Sequence, residues 1–260
     1  MGLDIYSGKL VRYYSNNWET IVQQLSKEQG YECKITDILG RERKAVEVCG
    51  EVSLIRKIVN GWIDNLASVI DPSLRKPLWD ESAEDEYYTD KPDWGAYGAL
   101  LMLQACSSLN LPLPEYVDGR WSAVNHPIVK EAKSKNTHNS LLKDATFWIP
   151  VQKELIMETA LPSGAKATIS TVPLLKKELE ELNQKLWKAD EATILSWRDD
   201  NYYIPIEQEK EKTFFGFIRR IWKRPKERFC TEQLAKCAYS IFYEAVCFAE
   251  RHHVPILLDY

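Results

Sequence analysis

No C-x-x-C pair occurs in this chain, although it holds six cysteines, at positions 33, 49, 106, 230, 237 and 247. That absence argues against a zinc knuckle and against a thioredoxin-type redox centre. Neither G-x-G-x-x-G nor a P-loop marks a nucleotide site, and no G-x-S-x-G marks a hydrolase elbow. The four histidines, His126, His138, His252 and His253, form neither H-E-x-x-H nor H-x-H. No cofactor or metal is therefore expected. No apolar run approaches the roughly 18 residues of a spanning helix, and the opening MGLDIYSGKL has no charged stretch leading into an apolar one. The expected location is cytoplasmic, with the cysteines as buried, reduced thiols. An excess of charge of one sign is also missing. Thirty-four basic against thirty-eight acidic side chains give −4, a field that repels phosphate backbones and makes nucleic acid an unsuitable partner. No repeat recurs at a fixed period.

What is present can build a large core, since 260 residues with 45% hydrophobic side chains sit at the upper end of one domain. The periodicities alternate. Leu3 to Tyr14, rich in Ile, Tyr and Val, predicts a strand or hairpin. Asn17 is the expected N-cap of a helix over 18–29 that Gly30 stops. Strands are expected at 31–38 and 44–49, then a helix over 51–70 with Val52, Ile55, Val59, Ile63 and Leu66 inward. A helix over 94–108 is apolar nearly all round and reads as central. The stretch 111–125, with prolines at 112 and 114, reads as an ordered connector. Strands at 147–151 and 155–161 follow, the second turning through Pro162-Ser163-Gly164 into 165–172 as a hairpin. Thr171 is placed to cap a helix running to Trp197, and the chain ends in a long helix from Thr231 and a strand over 254–258. The whole chain, 1–260, thus reads as one α+β unit of helices and short, largely antiparallel strands or hairpins, with a seam near 110–146 between two packed halves left open.

The most informative stretch is Leu78 to Tyr97, LWDESAEDEYYTDKPDWGAY, in which seven carboxylates stand among two tryptophans and three tyrosines. Its spacing does not match an EF-hand. Aromatic rings among charges have the composition of an interface core with a polar rim, which suits a basic protein partner. The residues assigned to binding are Trp79, Asp80, Glu84, Asp85, Glu86, Tyr87, Tyr88, Asp90 and Trp94. A structural loop packed on the body is the alternative. The segment 212–228, KTFFGFIRRIWKRPKER, has the opposite character, basic with an apolar helical face. It reads as an amphipathic helix docked on its own domain, and docking on the acidic loop of the same or another copy would neutralise both. Membrane-surface contact is the weaker reading. A homo-oligomer is compatible with such a pairing. His126 and His138 read as exposed turn residues, and His252 and His253 as cations at the end of the last long helix.

MGLDIY at 1–6, Arg12-Tyr13-Tyr14 with Asn17-Trp18-Glu19-Thr20, Tyr87 to Trp94 and VPILLDY at 254–260 together resemble a family of bacterial proteins. The resemblance implies a bacterial cytosolic protein of one globular unit and carries no activity, cofactor or catalytic residue. Two functional classes follow from the residues. The first is a non-catalytic cytosolic protein-binding module, such as an immunity or inhibitor protein of a bacterial toxin. The second is an enzyme, a hydrolase or transferase, drawing acid and base from the loop 79–97.

Overall fold

The computed structural model describes residues 2–31, 51–74, 76–82, 86–118, 121–136, 138–198 and 228–260. Six short strands make one sheet. β1 (Asp4–Ser7) lies between β2 (Tyr88–Asp90) and β8 (Ile256–Asp259), and beyond β8 come β4 (Ala145–Ile149), β6 (Lys166–Thr171) and β5 (Ile156–Ala160). Every neighbouring pair is antiparallel except β4 with β6. A second, two-stranded sheet joins β3 (Tyr116–Asp118) to β7 (Arg228–Cys230). Eight α-helices complete the described residues, and the chain is a single α+β unit.

Alternation along the strands gives the large sheet two apolar faces, and helices cover both. Ile5, Trp148, Ile256 and Leu258 face α4 (Trp94–Leu109), α6 (Val172–Leu186) and α8 (Thr231–His252), where Leu100, Leu175 and Phe242 meet them. Tyr6, Phe147, Ile169 and Leu257 face the other way, onto α1 (Leu10–Tyr14) and α3 (Val52–Ile70) through Val11, Ile55, Val59 and Ile63. α4 is buried on nearly all sides, with its outer residues Met102 and Cys106 against α5 (Pro127–Lys135). Each fully buried Leu or Met there contributes about 1.5–3 kcal/mol of transfer free energy. No described helix is long and apolar enough to cross a membrane.

The structure differs from the sequence reading at four places. Leu3 to Tyr14 is β1 followed by α1, not a hairpin, because a distant carboxylate caps the helix, as described below. Thr20, not Asn17, caps α2 (Ile21–Glu28): Gln23 N–H donates to the Thr20 hydroxyl at 3.4 Å, and Thr20 N–H to the Gln23 side chain at 2.8 Å. The helix expected to reach Trp197 stops at Leu186. Asn183 turns the chain by bonding both N–H and C=O of Ala189, Lys188 takes φ +51°, and Asp190 then caps α7 (Glu191–Ser196) through Thr193 N–H at 2.9 Å. In the connector 111–125 the chain forms β3 and a 3-10 turn at Ala123–Asn125. Smaller differences are that Val52 is exposed, that the Thr171 side chain makes no cap bond, and that the His126 ring accepts from Ile128 N–H at the start of α5. The expected strands at 31–38 and 44–49 fall almost wholly outside the described residues, as does 212–228 except Arg228.

Candidate functional site

The acidic, aromatic stretch leaves α3 on one face of the sheet and enters α4 on the other, so it must cross the sheet edge. β2 makes the crossing. With a side-chain period of two, consecutive residues point to opposite faces, and Tyr87 and Tyr88 go to different cores.

On the α3 side, Trp79 is 2% exposed and meets Trp62 edge to face at 6.1 Å. Its indole donates to Glu81 Oε1 at 2.7 Å. Glu81 is equally buried, and its two oxygens accept the N–H groups of Leu10 and Val11, each at 3.0 Å. A carboxylate 70 residues away in sequence thus satisfies the open N-terminus of α1. Burial raises the Glu81 carboxyl above its ordinary value, although these donors and the Lys9 ammonium favour the charged form. Lys9 donates to the Asp80 carbonyl. The Asp80 carboxylate itself is exposed and accepts from Ser82, which lowers its pKa. Tyr87 stacks on Tyr6 at 5.8 Å, lies under the Arg12 guanidinium at 5.2 Å, and accepts from Glu19 N–H and the Gln24 amide. Gly8 permits this approach, since a Cβ there would meet the Tyr6 hydroxyl at 2.6 Å and Tyr87 Cβ at 2.9 Å.

On the other side, the Tyr88 ring packs on Phe248, and its hydroxyl lies 3.3 Å from Asp90 Oδ2. Burial raises the Asp90 carboxyl, while Lys91 N–H at 2.7 Å and the Arg198 guanidinium at 3.4 Å favour its charge. Arg198 also pairs with Glu244 of α8, tying β2 to that helix. Glu86 is exposed, and Glu84 and Asp85 lie outside the described residues. Among the assigned rings, only Trp94 presents a large face to solvent, being 46% exposed. Asp93 places it by capping α4 through Gly95 N–H at 2.9 Å.

Tyr260 joins Trp94 there. It is 63% exposed, and the two rings stand edge to face with centroids 5.3 Å apart. Beside Tyr260 the sheet opens. β4 pairs with β8 only through Phe147 and Trp148, and one extra residue, Thr146, stands between Ala145, opposite Thr168, and Phe147, opposite Ile169. Where the start of β4 leaves β8, a cleft of about 380 Å³ is bordered by Asp144, Thr146, Lys166, Thr168, Asp259 and Tyr260. Tyr13 forms a further wall, its hydroxyl donating to Asp259 Oδ1 at 2.6 Å. Asp144, at φ +57°, pairs with Lys133.

The structure therefore divides the assigned residues: Trp79, Tyr87, Tyr88 and Asp90 are bound into the body, Asp80 and Glu86 are exposed near the start of β2, and Trp94 is exposed beyond its far end. Sequence reasoning did not assign Tyr13, Asp259 and Tyr260. No spacing rule joins residue 13 to 259, and although Tyr13 and the closing Asp259-Tyr260 fall in two of the stretches that carry the resemblance, the resemblance gives them no role. Among the described residues no three His, Cys, Asp or Glu side chains are grouped to hold a metal ion. No family model, curated protein or solved structure matches the chain.

Proposed function

We propose that this chain is a non-catalytic binding protein that docks a protein partner of basic character against the end of the sheet where Trp94 and Tyr260 lie. The observation that carries the reading is this exposed aromatic pair, Trp94 at the start of a buried helix and Tyr260 just after a central strand, packed edge to face on each other. Large rings fixed before binding lose little freedom on association and make good anchors. Asp93, at the start of α4 beside Trp94, adds negative charge to this surface, the sign that steers a basic partner. A cytoplasmic immunity or inhibitor protein of a bacterial toxin works in this manner, by occlusion. The enzyme reading has less support. Glu81 and Asp90, the loop carboxyls raised by burial, are occupied by internal donors. Neither borders the cleft at Tyr260 or the apolar depression on α3 near Trp62.

The test is capture from the source cell with three baits: wild type, Trp94→Ser with Tyr260→Ser, and Asp80→Asn with Glu86→Gln. The reading expects one stoichiometric partner, lost at least tenfold in the aromatic variant and kept in the second. A partner retained equally by all three, or none with wild type, contradicts it.

A further inference from the structure

The large sheet has two edges, and they are finished differently. β2 is three residues long, runs straight into Lys91-Pro92, and is tied to α8 through Asp90 and Arg198. β5 is five residues long, keeps an unbroken register with β6, and carries no proline, lysine or bulge, devices that often close an edge. Its open side follows from the hairpin. Leu161 N–H donates to the Ala165 carbonyl at 2.8 Å. In an antiparallel ladder the bonded pairs alternate, so Thr159 with Ala167 and Met157 with Ile169 are the bonded ones, and the N–H and C=O groups of Ile156, Glu158 and Ala160 point away from β6. The Ala160 carbonyl accepts the Trp62 indole of α3 at 2.6 Å, whereas the outward groups of Ile156 and Glu158 have no partner among the described residues.

The bond from Trp62 brings α3 to this edge. Just past Ala160, Leu161 and Pro162 border an open apolar depression on α3 made with Leu54, Ile58, Gly61 and Trp62. These helical positions recur at three and four, forming a second stripe beside the buried one of Ile55, Val59, Ile63 and Leu66, and Leu54 and Ile58 are about half exposed. Lys57 lies on the same stripe and makes no ion pair among the described residues. An extended chain satisfies both parts. Its backbone supplies the missing partners at Ile156 and Glu158, and its side chains, with a period of two, turn every second residue to the face where Met157 and Leu161 pack toward α3. We propose that the edge of β5 and the outer stripe of α3 form a groove for an extended segment of a protein partner, apolar at alternate positions and acidic where it meets Lys57. A second copy pairing through its own β5 fits less well. Matching Ile156 with Glu158 of the partner subunit sets Lys153 of the partner subunit beside Leu161, where the depression calls for an apolar side chain. The inference does not rest on the partner proposed for Trp94 and Tyr260, neither of which lines the depression.

Selection from a displayed library of random linear heptapeptides, with the full chain as bait, tests it, followed by titration of the most enriched peptide in two-dimensional amide NMR. Enriched sequences should carry apolar residues at every second position and an Asp or Glu. The peptide should give saturable shifts at Ile156, Glu158 and Gly61 in the micromolar to millimolar range. Glu158→Pro removes an outward N–H without touching the bonds to β6 and should weaken binding at least tenfold. Lys57→Glu should do the same. Both residues are exposed, so amide signals away from the groove should stay in place. Val69→Ser, on α3 but outside the depression, and Trp94→Ser should leave the affinity unaltered. The proposal is overturned if no sequence is enriched, if the selected peptide shifts amides elsewhere, if either Glu158→Pro or Lys57→Glu binds it as wild type does, or if sedimentation shows a wild-type dimer that Glu158→Pro converts to monomer.

Discussion

Glu178 and Glu81 are both buried carboxylates that accept backbone N–H groups from a distant part of the chain, Glu81 at the start of α1 and Glu178 at Ser140. Glu178, 4% exposed on α6, accepts from Ser140 N–H at 2.5 Å and the Ser140 hydroxyl at 2.6 Å; that hydroxyl in turn accepts from the Trp148 indole. Burial outweighs these bonds and pushes its pKa from 4.5 up to about 7. The folded state thus holds a proton that the unfolded state releases in this interval, so this group's contribution to stability falls as pH rises from about 4.5 through about 7. Wild type should lose about 1–3 kcal/mol from this source between pH 5 and pH 8, and Glu178→Gln should flatten the slope in urea denaturation. Equal slopes would refute the assignment. Glu81→Ala leaves three donors without their acceptor and removes the charge that faces Lys9, and should cost about 2–4 kcal/mol by the same assay. Asp80→Asn, one residue away but exposed, should stay within about 0.5 kcal/mol.

Elements legible in the sequence were those stabilised from within. α3 and α8 carry their own helical stripe, α4 is apolar nearly all round, and the β5–β6 hairpin has its turn in Pro162-Ser163-Gly164. α1 was not legible, because its residues favour a strand and its cap comes from Glu81, 71 positions from Leu10. Hydrogen exchange should show this dependence: in Glu81→Ala, amides of α1 lose protection while those of α8 keep theirs. Uniform loss across both would mean that the cap acts on the whole fold. The break after α6 was local, written in Asn183 and Asp190, but a continuing leucine period masked it. Asp190→Ala should cost about 1 kcal/mol in thermal or urea unfolding. A change below about 0.2 kcal/mol would show that packing of α7, not its cap, sets the boundary.

At the scale of the molecule, one stretch of sequence serves two ends. Acidic and aromatic composition marked Trp79 to Trp94 as special, but composition has no direction, and only the fold decides which rings turn inward. Trp79 and Glu81 serve the α3 face, Arg198 draws Asp90 toward α8, and Trp94 is left outward beside the remote Tyr260. Of the proposed surface Trp94 was therefore readable, whereas Tyr260 joins it only when β8 docks between β1 and β4. The most direct measurement of this division is hydroxyl-radical footprinting of the chain alone and with its captured partner. The account predicts rapid labelling of Trp94 and Tyr260 in the free chain, slow labelling of Trp79, and partner protection confined to the first two. Labelling of Trp79 as fast as Trp94, or partner protection that spares both Trp94 and Tyr260, would contradict it.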